Sequence, residues 1–85
     1  MSEQELFARV VKILKPYVKN QEALAHATAE TQILHDLGIN SLRFVDIILE
    51  FENQFKIEIT DEEFAKVRTI GDAIRGIGAK IVAIR

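Results

Sequence analysis

The residues of this chain whose types and spacing could do chemistry lie together in Asp36-Leu37-Gly38-Ile39-Asn40-Ser41-Leu42, directly ahead of the apolar-rich run 43–55. Asn40 carries a side-chain oxygen suited to accept an unpaired amide from the first turn of a following helix, the N-cap arrangement. Ser41 would then open that helix with its hydroxyl toward solvent, beside the positive end of the helix dipole, where an attached phosphate is favoured. Taken alone, an Asn-Ser pair before an apolar run is read as a helix start and nothing more. The other candidate groups form no comparable constellation. His26 and His35 are the only histidines, and their spacing supplies neither the further ligands nor the geometry that zinc needs, so no metal site is expected. Asp61, Glu62 and Glu63 read as the negatively charged first turn of a helix rather than an acid/base pair. No EF-hand loop, phosphate loop or nucleophile elbow occurs, and no catalytic residue is assigned.

The elements that must position Ser41 follow from periodicity and punctuation. Ser2 with Glu5 has capping-box spacing, and Leu6, Val10, Ile13 and Leu14 recur at helical intervals, which gives a first helix over about 3–15 that Pro16 ends or kinks. Tyr17 and Val18 extend its apolar face. Residues 19–40 form a connection too long to be structureless in so small a protein, and Glu22 to Ala29 could supply a helical turn within it. Ile33, Leu34 and Leu37 are expected to pin its end to the core, with Gly38 providing a turn of positive φ before the cap.

A second helix over about 41–56 carries two apolar stripes. Phe44, Ile47, Ile48, Phe51 and Phe55 share the arc expected to face the core. Leu42, Val45 and Leu49 form the other, bordered by Asp46, Glu50 and Asn53; either further helices bury it or it is an exposed docking patch beside the serine. Ile57 and Ile59 continue in extended form. Thr60 and Glu63 then cap a short helix to about Val67, with Phe64 and Val67 turned to the core. Thr69 and Asp72 start a last helix whose Ile70, Ile74, Ile77, Ile81 and Ile84 form an inward stripe, while Gly71, Gly76 and Gly78 suggest fraying or a break near 76–78.

With 85 residues and no internal repeat, one domain over 1–85 is expected, burying about two-thirds of its unfolded surface. The absence of cysteine leaves no disulfide framework and no thiolate metal site, which fits a reducing compartment. No run of about 18 apolar residues and no signal-peptide core occur, so a cytoplasmic protein without membrane insertion is expected. The net charge of -2 is unevenly spread. Residues 1–20 hold four basic groups and two acids, residues 21–60 two basic groups and seven acids, and residues 61–85 five basic groups and four acids. The acidic belt thus coincides with the serine and its helix, where it would steer a basic partner and repel nucleic acid. A helix-turn-helix reading, which needs a basic recognition helix, does not fit.

The segments D-L-G-I-N-S-L, V-D-I-I, E-F-E-N-Q-F-K-I-E-I-T-D-E-E and T-I-G-D-A-I, in that order and at those separations, resemble the acyl carrier protein family, whose motif is L-G-x-D-S-L. The resemblance covers about residues 33–74, and the first helix by pattern only. It implies an all-α fold, a small four-helix bundle with a long first loop and a short third helix. It also implies that Ser41 carries 4'-phosphopantetheine through a phosphodiester, installed by a phosphopantetheinyl transferase with coenzyme A as donor. The arm's thiol, which this cysteine-free chain lacks, would hold an acyl group as a thioester and reach successive enzymes at high effective concentration. The chain would then be a monomeric, non-catalytic carrier served by acyl-loading and acyl-processing enzymes.

Those partners would read Leu42, Arg43, Val45, Asp46 and Leu49. Phe44, Ile48, Phe51 and Ile70 are the candidate acyl-lining residues, although all four also read as ordinary core. The chain departs from the family pattern at several points. Asn40 stands where aspartate is usual, Arg43 where an acid is common in fatty-acid carriers, and Asn53 and Gln54 dilute the acidic face. These departures point to a specialised carrier for a dedicated ligase, polyketide-like or lipid-modifying pathway rather than the housekeeping fatty-acid one. The competing reading from another class is a cofactor-free helical adaptor that docks a protein on Leu42, Val45 and Leu49.

Overall fold

The computed structural model describes residues 2–84. Five α-helices follow in order: α1 (Glu3–Leu14), α2 (Gln21–Ala25), α3 (Ser41–Phe55), α4 (Asp61–Lys66) and α5 (Ile70–Ile84), with a 3-10 turn at Lys15–Tyr17 behind α1. The three long helices α1, α3 and α5 enclose the core, α4 lies against it, and α2 sits in the first connection. This is the small helical bundle expected from periodicity, with the turn inside the long loop realised as α2.

Local chemistry accounts for each start. Ser2 accepts the Glu5 amide at 3.2 Å, and Asn20 accepts the Ala23 amide at 3.0 Å to begin α2. Thr60 and Glu63 form a complete reciprocal box on α4, with bonds of 3.2 and 2.9 Å. Thr69 and Asp72 do the same on α5, each side chain bonding the other's amide at 3.1 Å, while Asp72 also accepts the Arg68 amide at 3.0 Å. The end of α3 is set by Lys56, which adopts the left-handed conformation at φ 56°. Such a cap normally favours glycine.

The connection between α2 and α3 is bonded throughout. Ile33 donates to Arg68 at 2.9 Å, Ile70 to Thr31 at 3.0 Å and Gly71 to Ala29 at 2.8 Å, which stitches the loop to the mouth of α5. Gly71 is required there, because a Cβ would lie 2.8 Å from the Ala29 carbonyl oxygen. Gly38 has φ +69°, the left-handed turn expected of it.

Ile33, Leu37 and Ile39 are buried, but Leu34 is 39% exposed and does not pin the loop. Ile33 and Leu37 lie four residues apart on the inner side of the turn, and that spacing sends Leu34 outward. The break expected near Gly76 and Gly78 does not occur either. α5 runs unbroken because Ile70, Ala73, Ile74 and Ile77 are buried along one face, and tertiary packing of that face outweighs the roughly 1 kcal/mol that each glycine costs a helix. The inward packing expected of Ile84 lies outside the described side chains.

The core also takes in Leu6, Val10 and Leu14 from α1, and Phe44, Ile47, Ile48, Phe51 and Phe55 from α3. The first apolar stripe of α3 therefore faces inward as its spacing requires. Phe64 and Val67 are half-buried against this core.

Candidate phosphopantetheine site

Ser41 is the first residue of the 15-residue helix α3. Asn40 organises the turn below it. Its side-chain oxygen accepts the Leu42 amide at 2.8 Å, and its carbonyl accepts those of Arg43 and Phe44 at 2.9 and 3.1 Å. The approach to Asn40 is braced by Asp36, which accepts the Gln32 amide at 2.8 Å and lies 3.1 Å from His35 Nδ1. The Gln32 amide, followed by the neighbouring imidazole, holds the Asp36 carboxyl below its ordinary range.

The chain has two serines, and their surroundings differ. Ser2 Oγ accepts the Glu5 amide and meets the Glu5 carboxylate at 3.4 Å, which commits it to capping α1. Ser41 is exposed, and Asn40 rather than Ser41 caps α3. No acidic residue occupies the first turn of α3. A phosphate on Ser41 would therefore sit at a positive helix end with no carboxylate in that turn to repel it. Arg43 is the nearest cation in sequence and reaches Asp46 at 3.5 Å, both side chains largely exposed. The residues present fit a phosphodiester-linked group.

Beside the serine, the second stripe of α3 is not covered by other helices. Leu42 is 79% exposed, Val45 48% and Leu49 52%, and with Leu34 they are the large apolar side chains left open among the described residues. Leu42, Val45 and Leu49 recur at helical spacing, so they form one apolar strip flanked by Arg43 and Asp46.

A cavity of about 220 Å³ opens between α3, α4 and α5. Ile48, Phe51, Ile59, Val67, Ala73 and Ile77 supply its apolar wall. Of the four acyl-lining candidates, Ile48 and Phe51 face this space. Phe44 packs instead against Phe64, with ring centroids 5.2 Å apart, and Ile70 is fully buried in the core. Sequence reading missed Ile59, Val67, Ala73 and Ile77 as wall residues. Their apolar spacing was visible, but which of them border a void depends on how α4 and α5 are placed. Ile48 and Phe51 follow Ser41 by two to three helical turns, which puts the cavity about 10–15 Å down the helix axis from the serine.

His35 is exposed beside Asp36, and His26 closes the C-terminal end of α2. Among the described residues no group of three or more His, Cys, Asp or Glu side chains is placed to hold a metal.

The comparison with known proteins meets this geometry directly. Residues 4–77 match the family described as the phosphopantetheine attachment site. The acyl carrier protein of Thermotoga maritima is 31% identical over 80 residues, covering 94% of this chain and 96% of that protein.

The chain belongs to the acyl carrier protein family.

The acyl carrier protein of Lactobacillus acidophilus is 32% identical over 75 residues, covering 87% of this chain and 90% of the relative. Among solved structures, that of the acyl carrier protein from Enterococcus faecalis superposes with a TM-score of 0.77 at 29% identity, covering 94% of this chain and 99% of that one. The protein is thus a carrier that bears phosphopantetheine, and not an enzyme. No helix among the described residues is long and apolar enough to cross a membrane.

Proposed function

We infer that Ser41 is the attachment point of the 4'-phosphopantetheine arm, and that the arm presents acyl intermediates as thioesters to biosynthetic enzymes. The observation that carries this reading is the contrast between the two serines: Ser2 is engaged in a helix cap, whereas Ser41 stands exposed at the N-terminus of a long helix with no acid in its first turn. When bound, the arm supplies the thiol that the cysteine-free chain lacks. The protein supplies the rest: Asn40 orders the helix mouth, and the first-turn dipole favours the negatively charged linkage.

Leu42, Val45 and Leu49 form the surface on which a phosphopantetheinyl transferase and the acyl-loading and acyl-processing enzymes dock, with Arg43 and Asp46 as rim charges that govern encounter rate more than final affinity. The cavity walled by Ile48 and Phe51 receives the acyl chain between encounters. Asn40 and the exposed Arg43 at the serine favour a specialised pathway over housekeeping fatty-acid synthesis. The protein works as a monomeric cytoplasmic domain spanning residues 1–85.

Coexpression with a broad-specificity transferase tests this reading by intact mass. The wild-type chain gains one phosphopantetheine group and Ser41→Ala gains none; modification of Ser41→Ala to the same extent would overturn the assignment.

A further inference from the structure

The cavity between α3, α4 and α5 has two chemically distinct parts. Its interior wall is apolar, built from residues such as Ile48, Phe51, Ala73 and Ile77. Its remaining lining is charged, with Glu63 and Lys66 from α4 and Asp72, Arg75 and Lys80 from α5. Those charges are not equivalent. The carboxylates are committed to the fold: Glu63 Oε1 accepts the Thr60 amide and the Lys80 ammonium, each at 2.9 Å, while Asp72 accepts the Arg68 and Thr69 amides and pairs with Arg75.

The cations keep donors in reserve. Lys80 uses one of its three donors on Glu63, Arg75 has further N–H groups beyond the one aimed at Asp72, and Lys66 is exposed with no ion-pair partner among the described residues. Gly76 lines the same edge, and a Cβ built there would meet nothing within 4 Å. The cavity therefore offers an apolar slot with a charged edge where three cations face two carboxylates, both of which are already hydrogen-bonded within the fold. A plain hydrocarbon chain would fill the slot and leave those donors to water. A chain ending in an anion would also satisfy them, through charge-assisted bonds.

We propose that the cavity selects acyl groups of medium length whose far end is anionic, a chain with an ω-carboxylate being the simplest. The proposal rests on the reading of this cavity as the seat of the acyl chain. Length follows from volume: about 220 Å³ holds roughly seven water-sized groups at ~30 Å³ each. Specificity comes from Lys66 on α4 and Lys80 on α5, which both line the slot.

The test uses the full-length holo-protein charged with octanoyl or with suberyl, the eight-carbon chain that ends in a carboxylate. Two quantities are read: the rate of thioester cleavage by hydroxylamine, and the amide shifts of Ile48, Phe51, Ala73 and Ile77. Both chains shift these amides, and the suberyl thioester is cleaved about tenfold more slowly than the octanoyl one, as expected for one added charge-assisted interaction. Lys66→Gln reduces that ratio toward one, Lys66→Arg preserves it, and high salt weakens it. If octanoyl shifts the amides and is protected as well as or better than suberyl, the selectivity for an anionic end is wrong while the cavity still seats an acyl chain. If neither chain shifts them, the cavity is not the acyl seat, and the proposal falls with that reading.

Discussion

Helices α3 and α4 are both opened by a well-formed cap, yet the fold holds them very differently. α3 runs for 15 residues and buries Phe44, Ile47, Ile48, Phe51 and Phe55. α4 runs for 6 residues and buries none. Its hold on the molecule consists of the half-buried Phe64 and Val67, the contact of Phe64 with Phe44, and the Glu63–Lys80 ion pair, the one among the described residues that joins two helices. Helical stability in proteins comes mainly from packing an apolar face, so α3 is a fixed platform and α4 a lightly fastened wall. The contrast suits a carrier. The serine stands on the better anchored of these two helices, and the cavity is closed on one side by the more lightly held one.

Core truncation should expose the difference most strongly. Phe51→Ala removes a side chain that is fully buried on α3 and should cost about 3–5 kcal/mol in urea unfolding. Phe64→Ala on α4 should cost about 1 kcal/mol, because a half-buried ring leaves less of a cavity behind. Equal losses at the two positions would erase the distinction between platform and wall.

A cap change acts next. Thr60→Ala removes the hydroxyl that receives the Glu63 amide and should cost about 1 kcal/mol. Because α4 has little else to hold it, the effect should appear as faster hydrogen exchange confined to residues 61–66 and not spread to α3.

Acid should loosen α4 in a defined window. The Thr60 amide, followed by the Lys80 ammonium, holds the Glu63 carboxyl down at about 2, from an ordinary value of 4.5. A carboxyl depressed on folding contributes stability that is fully present above its unfolded value and is lost as pH falls through the folded one. The Glu63 contribution should therefore fade between about pH 4.5 and 2. An NMR titration of α4 amides reads this loss directly, and Glu63→Gln should remove that part of the pH dependence while raising α4 exchange at neutral pH.

Much of this architecture was legible because helix starts are local. Ser2 with Glu5, Asn40, Thr60 with Glu63, and Thr69 with Asp72 each satisfy amides within a few residues, so the sequence spacing already contains the structural reason. The two stripes of α3 were legible for the same cause, although periodicity alone did not say whether the second would be covered as well. Leu34, the continuity of α5 through Gly76 and Gly78, and the residues walling the cavity were not. Each depends on where a distant segment sits: the Ile33–Arg68 bond for the loop, the buried face of α5 for its glycines, and the relative placement of α4 and α5 for the void. Around Ser41 the division is the same, since its cap could be read from Asn40 whereas the bare strip beside it required the structure.

The smallest expected effect lies at the junction of the two helices. Lys56 closes α3 in the left-handed conformation at φ 56°, which costs an L residue more than it costs glycine. Lys56→Gly should raise stability by about 0.5 kcal/mol in urea unfolding, the lower backbone strain being partly offset by glycine's entropy.

The central claim, that the fixed platform carries the arm on Ser41, is tested most directly by locating the phosphopantetheine group in the modified wild-type protein. Proteolysis followed by fragmentation mass spectrometry separates the peptide holding Ser41 from the one holding Ser2. The account predicts the group on the Ser41 peptide alone, released with the loss of phosphate characteristic of a serine phosphodiester. Its recovery on the Ser2 peptide, or on any residue outside the first turn of α3, would contradict it.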